Sequence, residues 1–218
     1  MKFSDIFKTS DQNGSLGDRF RKRRFKFFEE KLAGLDGPLT ILDVGGLESF
    51  WVNRGFANKP GVTITVLNLT SGETHHDNIK AVSGNATSLS GIKDSEFDIV
   101  FSNSVIEHLY TKENQIKMAE EVKRAGKYYF VQTPNKYFPI EPHYVLPFFQ
   151  YLPKSVKYFI LTKTRLSRLH KWDKDYAKQY IEEIRLLSFK EMKELFPEGS
   201  IYCEKAGGLI KSFTAHNF

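Results

Sequence analysis

From Leu39 to Asn135 the chain alternates β-branched apolar runs with helix-patterned segments, and this alternation narrows the possible folds more than any other feature. "LTILDVGG", "GVTITVLNLT", "NIKAVSGNATSL", "EFDIVFSNSVIEHL" and "KYYFVQTPN" read as five strands in turn. Between them, "ESFWVNRGFAN" and "ENQIKMAEEVKRAG" read as helices, the second with Met118, Val122 and Ala125 on one stripe and Gly126 as its stop. The pattern predicts an α/β chain with a doubly wound, mostly parallel sheet and helices on both faces. Such sheets bind ligands beyond the carboxyl ends of their strands, at the switch point. The stretches just past each strand are therefore the first candidates for a site: Gly45–Ser49, Asn68–Thr70, Asn85–Ala86, Ser102–His108 and Thr133–Asn135.

On either side of this block the pattern differs. "SLGD" at Ser15–Asp18 has the form of a helix start, and Phe25, Phe28, Leu32 and Leu35 follow at helical spacing before "GLDGP" breaks the run. From Tyr137 to about Tyr180 the sequence is aromatic, proline-bearing and basic, and it reads as an insertion after the fifth strand. "SFKEMKELFP" then resumes as a helix, with "SIYCEKAGG" and "LIKSFTAHN" as closing strands. The expected organisation is one domain over 1–218, with an N-terminal helical segment at 1–37 and an inserted lid or substrate-binding segment at 137–180.

Composition limits the partners and compartment. With 218 residues and 40% hydrophobic content the chain can bury a full core. The single cysteine, Cys203, excludes an internal disulfide framework and reads as a small buried hydrophobe. "MKFSDIFKTSDQNGS" lacks the apolar centre of a signal peptide, and no run approaches the ~20 apolar residues of a bilayer span, so a cytoplasmic location is expected. The net charge of +6 favours anionic partners. Its basic clusters, Arg19–Lys26 and Leu161–Lys178, read first as solvated helix faces and second as a phosphate or lipid-headgroup patch.

Four strand ends suggest a nucleoside site. Gly45 and Gly46 permit a sharp turn and close backbone approach to a ligand, although "GGLES" lacks the later glycines of a full G-x-G-x-x-G loop. Asn68 ends the second strand where a polar side chain can reach ribose hydroxyls. Asn85, followed by the Ala86 N–H, offers the pair of groups that can read the edge of an adenine. "FSNSVIEHL" closes the set with small and polar residues.

In the order of these motifs the chain resembles the class I S-adenosylmethionine-dependent methyltransferases, especially the methyltransferase type 11 group. The likeness is close over Leu39–Asn135 and resumes weakly in "AGGLIKSFTAH". It implies a Rossmann-like methyltransferase fold with S-adenosyl-L-methionine as cofactor and S-adenosyl-L-homocysteine as product. It also implies that Asp43, Gly45 and Gly46 form the first cofactor loop. Asn68 would face the ribose, Leu69 would pack beside the adenine, and Asn85 and Ala86 would read its edge. Ser102 and Asn103 would lie near the sulfonium. Two departures stand out: Leu47 and Ser49 replace the family's later glycines, and Asn68 stands where the family usually has an acid.

Methyl transfer needs alignment and exclusion of water, with a general base for some acceptors. His108 and His143 are the candidate bases, each balanced by a structural role in its loop. Glu107 and Glu141 read as solvated acids or salt-bridge partners, and His75–His76–Asp77 lacks the spacing of a metal site, so no metal is expected. The acceptor is expected to be a small molecule or a glycan or lipid-linked intermediate. The aromatic insertion reads as a lid, or as a membrane-surface contact through 144–166 that would make the protein peripheral to a membrane. A nucleic-acid acceptor is disfavoured because "QTPN" lacks the Asn/Asp-Pro-Pro-aromatic pattern. The alternative function is a non-catalytic binding or scaffold protein of the same fold.

Overall fold

The computed structural model describes residues 16–218, and side chains from residue 19 onward. The expectations for the first fifteen residues, including the helix start at Ser15 and the missing signal peptide, lie outside the described residues. In chain order the elements are α1 (Leu16–Leu32), β1 (Leu39–Val44), α2 (Glu48–Val52), β2 (Val62–Asn68), β3 (Ile79–Ser83), β4 (Phe97–Asn103), α3 (Lys112–Ala125) and β5 (Gly126–Pro134). There follow β6 (Ile140–Glu141), β7 (Leu146–Pro147), α4 (Lys154–Lys163), α5 (Lys174–Glu183), α6 (Phe189–Leu195), β8 (Ser200–Ala206) and β9 (Leu209–His216).

The described chain divides into two compact units, one holding Leu35–Asn135 with Arg185–Phe218, the other holding the described chain up to and including Gly34 together with Lys136–Ile184. The first unit is the sheet. Its seven strands run in the order β3-β2-β1-β4-β5-β9-β8, the first five parallel, β9 antiparallel to both its neighbours, and β8 running the same way as the first five. This is the expected doubly wound α/β architecture. The central strands are apolar without alternation because helices cover both faces: Ile41, Leu42 and Val44 of β1 and Ile99, Val100 and Phe101 of β4 are all buried. Met118, Val122 and Ala125 of α3 join Leu42, Val100 and Val131 in one core. α6 begins with a capping box, in which Ser188 and Glu191 satisfy each other's backbone N–H groups. Cys203 packs partly buried against that core, and burial pushes its thiol up.

Register places the strand ends side by side. Val44 pairs with Leu67, Asp43 with Phe101, and Asn68 with Ser83. The carboxyl ends of β1, β2, β3 and β4 thus share one edge, with chain order reversing between β1 and β4.

α2 is shorter than "ESFWVNRGFAN" suggests. Gly55 adopts φ +76, and Phe56 folds back so that its N–H donates to Trp51 O at 3.0 Å and its ring packs 5.3 Å from the indole. A buried aromatic pair outweighs another helical turn there.

In the second unit, α1 buries Phe25, Phe28 and Leu32 and leaves Arg19, Lys22, Arg23 and Lys26 exposed, as its periodicity predicts. Arg24 departs from that pattern and is buried. α4 and α5 close around Tyr144, Phe149, Leu161, Trp172, Ala177 and Ile181. This aromatic core is why the 137–180 sequence is so rich in Tyr, Phe and Trp: it has its own apolar interior to fill. Asp173 caps α5, accepting from the Asp175 and Tyr176 N–H groups.

Candidate functional site: the crevice at the carboxyl ends of β1, β2 and β4

The turn after β1 is built around a buried acid. Asp43 is 1% exposed, and its Oδ2 accepts from the Trp51 indole N–H at 2.7 Å. Its Oδ1 is buried with no hydrogen-bond partner among the described residues. Burial is the dominant influence and pushes the carboxyl up to about 7, against the opposing Trp51 bond and the Arg54 charge. Gly46 passes directly over this carboxylate, and a Cβ at Gly46 would sit 1.6 Å from Oδ2. Gly45 has φ +80, and a Cβ there would sit 2.4 Å from Val105 Cγ2. Both glycines are therefore required by the turn itself. Leu47 and Leu69, the residues following Gly46 and Asn68, expose 63% and 79% of their surface.

Asn68 is bound to that turn: its Nδ2 donates to Gly46 O at 2.6 Å. Its Oδ1 is left as an acceptor without a protein partner among the described residues. Asn85 is used differently. Its Oδ1 accepts from both the N–H and the Oγ1 of Thr87 at 2.9 Å, which leaves the Nδ2 donor for any ligand. Ala86 packs against the core of the sheet unit. Ser102 is fully buried and its hydroxyl donates to Val44 O at 3.0 Å, tying β4 to the end of β1. Asn103 ends β4 half-buried with no side-chain hydrogen bond within the described residues. Just beyond it, Ser104 takes φ +59 and donates to Gln132 Oε1.

Sequence reasoning missed one part of this edge. Glu48, first residue of α2, accepts from the His75 N–H at 2.7 Å, lies 2.7 Å from His76 Nδ1 and 3.3 Å from His75 Nδ1. These bonds, led by His76, hold its carboxyl down at about 2. They pin the segment after β2 to the start of α2, so the adjacent histidines, set aside as a metal site, act as partners of an acid. Trp51 was likewise unassigned, and its spacing from Asp43 gave no hint of the bond.

Two acids are interior, and one of them, Glu141, bears out its salt-bridge reading by facing His143. Glu107 and Glu141 are not solvated: they are 0% and 1% exposed. Glu107 Oε2 accepts from the Thr133 hydroxyl at 3.0 Å, while its Oε1 has no hydrogen-bond partner among the described residues. Glu141 Oε1 lies 2.6 Å from His143 Nδ1 and its Oε2 accepts from the Tyr144 N–H. His143 therefore has the buried carboxylate that fixes an imidazole's orientation. His108 sits half-buried in the turn after β4, on the sheet unit, whereas His143 belongs to the other unit.

A family model described as a methyltransferase domain matches residues 44–130, which hold Gly45, Gly46, Asn68, Asn85 and Ser102 but not Asp43. An uncharacterized protein of Mycobacterium tuberculosis (strain H37Rv) is 36% identical over 58 residues, covering 27% of this chain and 20% of its own. The chain thus spans about a fifth of the length of the curated relatives it matches. A crystal structure of a SAM-dependent methyltransferase from Aquifex aeolicus superimposes with TM-score 0.53 at 15% identity, covering 99% of this chain and 97% of that one. One from Methanosarcina mazei gives TM-score 0.51 at 14% identity over 86% and 95%. Residues 44–130 are thus similar to a methyltransferase domain. The two structural likenesses establish the chain's fold.

The donor set fits an adenosine-bearing cofactor. A partnerless acceptor on Asn68, a donor on Asn85 and apolar flanks at Leu47 and Leu69 lie along one edge.

Proposed function

We propose that the chain is an S-adenosylmethionine-dependent methyltransferase whose acceptor is a small molecule or a glycan or lipid-linked intermediate. The observation that carries this reading is the Gly45–Gly46 turn over buried Asp43, held at the same strand edge as Asn68. When bound, the cofactor supplies a methyl group already activated by a sulfonium. The protein's task is then to bind, orient and keep water away.

In this reading Asn68 Oδ1 accepts from a ribose hydroxyl while its Nδ2 keeps the turn closed. Leu69 and Leu47 give the base apolar flanks, and Asn85 Nδ2 donates to a ring nitrogen. Asp43 acts from beneath, as the floor on which Gly46 rests. Where the acceptor atom carries a proton, His108 or His143 removes it. Glu141 supports His143 in that role by holding Nδ1 and so fixing the ring's orientation.

Isothermal titration with S-adenosylhomocysteine tests the reading. Saturable 1:1 heat supports it. Absence of heat at high micromolar ligand removes the enzyme assignment and leaves a scaffold protein of the same fold.

A further inference from the structure

Between Glu141 and Asp173 the chain has six basic residues and no acid: Lys154, Lys157, Lys163, Arg165, Arg168 and Lys171. About one residue in eight is acidic over the whole chain, so a 31-residue stretch would ordinarily hold about four. The same stretch exposes large apolar side chains that its own core does not use. α4 buries Leu161 against the aromatic cluster, yet on its other side Val156 and Phe159 are 40% and 60% exposed, with Lys163 next along that stripe. Phe148, Leu166 and Leu169 are exposed to a similar degree.

Two of these exposed residues also have an unusual backbone conformation. Phe148 has φ +56 and Leu169 has φ +61, the left-handed region that disfavours bulky side chains, and neither buries its side chain in return. Strain without local burial points to a function. No helix among the described residues is long and apolar enough to cross a membrane.

We propose that residues 142–172 form a docking surface for an anionic lipid bilayer, with Phe148, Phe159, Leu166 and Leu169 entering the interfacial layer and Lys163, Arg165 and Lys171 meeting the headgroups. Scattered apolar residues interleaved with cations, at positions lacking any acid, suit a fluid two-layered partner. Such a partner is apolar just below a charged plane. This surface goes beyond methyl transfer and does not depend on it.

The test is co-sedimentation of the full chain with extruded vesicles of phosphatidylcholine, with and without phosphatidylglycerol at about a third of the lipid. Partitioning onto the anionic vesicles is expected to exceed that onto neutral ones by about tenfold and to weaken in high salt. F159S with L169S, both at exposed positions, should lower it several-fold, as should K163E with R165E. Circular dichroism checks that both doubly substituted proteins stay folded. Failure to bind anionic vesicles, binding untouched by either pair, or displacement by inorganic phosphate alone would overturn the proposal. So would concentration-dependent dimerisation that F159S abolishes, which would assign the face to a second copy of the chain. Homocysteine-product titration on the same samples reports separately on the crevice, so the two ideas fail independently.

Discussion

The side-chain amide of Asn68 donates to the carbonyl of Gly46 at 2.6 Å, joining the end of β2 to the turn after β1. An acid at position 68 cannot make that bond, because a carboxylate has no proton to give a carbonyl. The amide is thus matched to the carbonyl of the Gly45–Gly46 turn. Asn68→Asp should weaken S-adenosylhomocysteine binding by about tenfold, since a donated bond is replaced by repulsion between two acceptors. Titration calorimetry on wild type and variant measures it, and tighter binding by the aspartate would show the bond to be irrelevant.

Gly46→Ala should destabilise the fold by about 2–3 kcal/mol, because the new Cβ would fall 1.6 Å from Asp43 Oδ2 in a packed site. Gly72→Ala is the control: it is exposed, has no atom within 4 Å of a built Cβ, and should be near neutral. Urea melts of both variants decide the point, and equal midpoints would contradict the tight packing over Asp43.

Asp43 makes stability depend on pH. Its carboxyl sits near ~3.9 in an unfolded chain and at about 7 when buried here, so folding favours the protonated form. The unfolded chain then ionises first, and stability should fall as pH rises from about 4 to 7 and level off above. Asp43→Asn should flatten that slope in melts at pH 5 and pH 7.5. Identical slopes in the two proteins would mean that the burial of Asp43 has no such consequence.

Much of this architecture is legible in the sequence, for a physical reason. Strands buried on both faces must be continuously apolar, and α3 must show its Met118–Val122–Ala125 stripe, so both declare themselves locally. The electrostatics of the crevice do not. Asn68 bonds a residue 22 positions away, Ser102 one 58 positions away, and Glu48 the histidines 27 and 28 positions on. Whether an acid is solvated likewise depends on what the fold places over it. That is why Glu107 and Glu141 look like surface residues in the sequence and are interior in the structure. Asn85 differs: its bonds to Thr87 are a local turn, which the "NAT" sequence contains in full.

Glu48→Gln should loosen the segment after β2. A neutral amide still accepts from the His75 N–H but loses its charge-assisted contacts to both imidazoles. Amide hydrogen exchange over residues 70–77 should speed up at pH 6, with little change in β4 or β5. Unchanged exchange there would mean that other contacts hold the segment.

The central claim is that the edge formed by Gly46, Asn68 and Leu69 receives an adenosine-bearing cofactor. A crystal of the protein grown with S-adenosylhomocysteine tests it most directly. The account predicts ligand density against the Gly45–Gly46 turn, with a ribose hydroxyl within hydrogen-bond distance of Asn68 Oδ1. Density elsewhere, or side chains filling that edge while the ligand stays in solution, would contradict it.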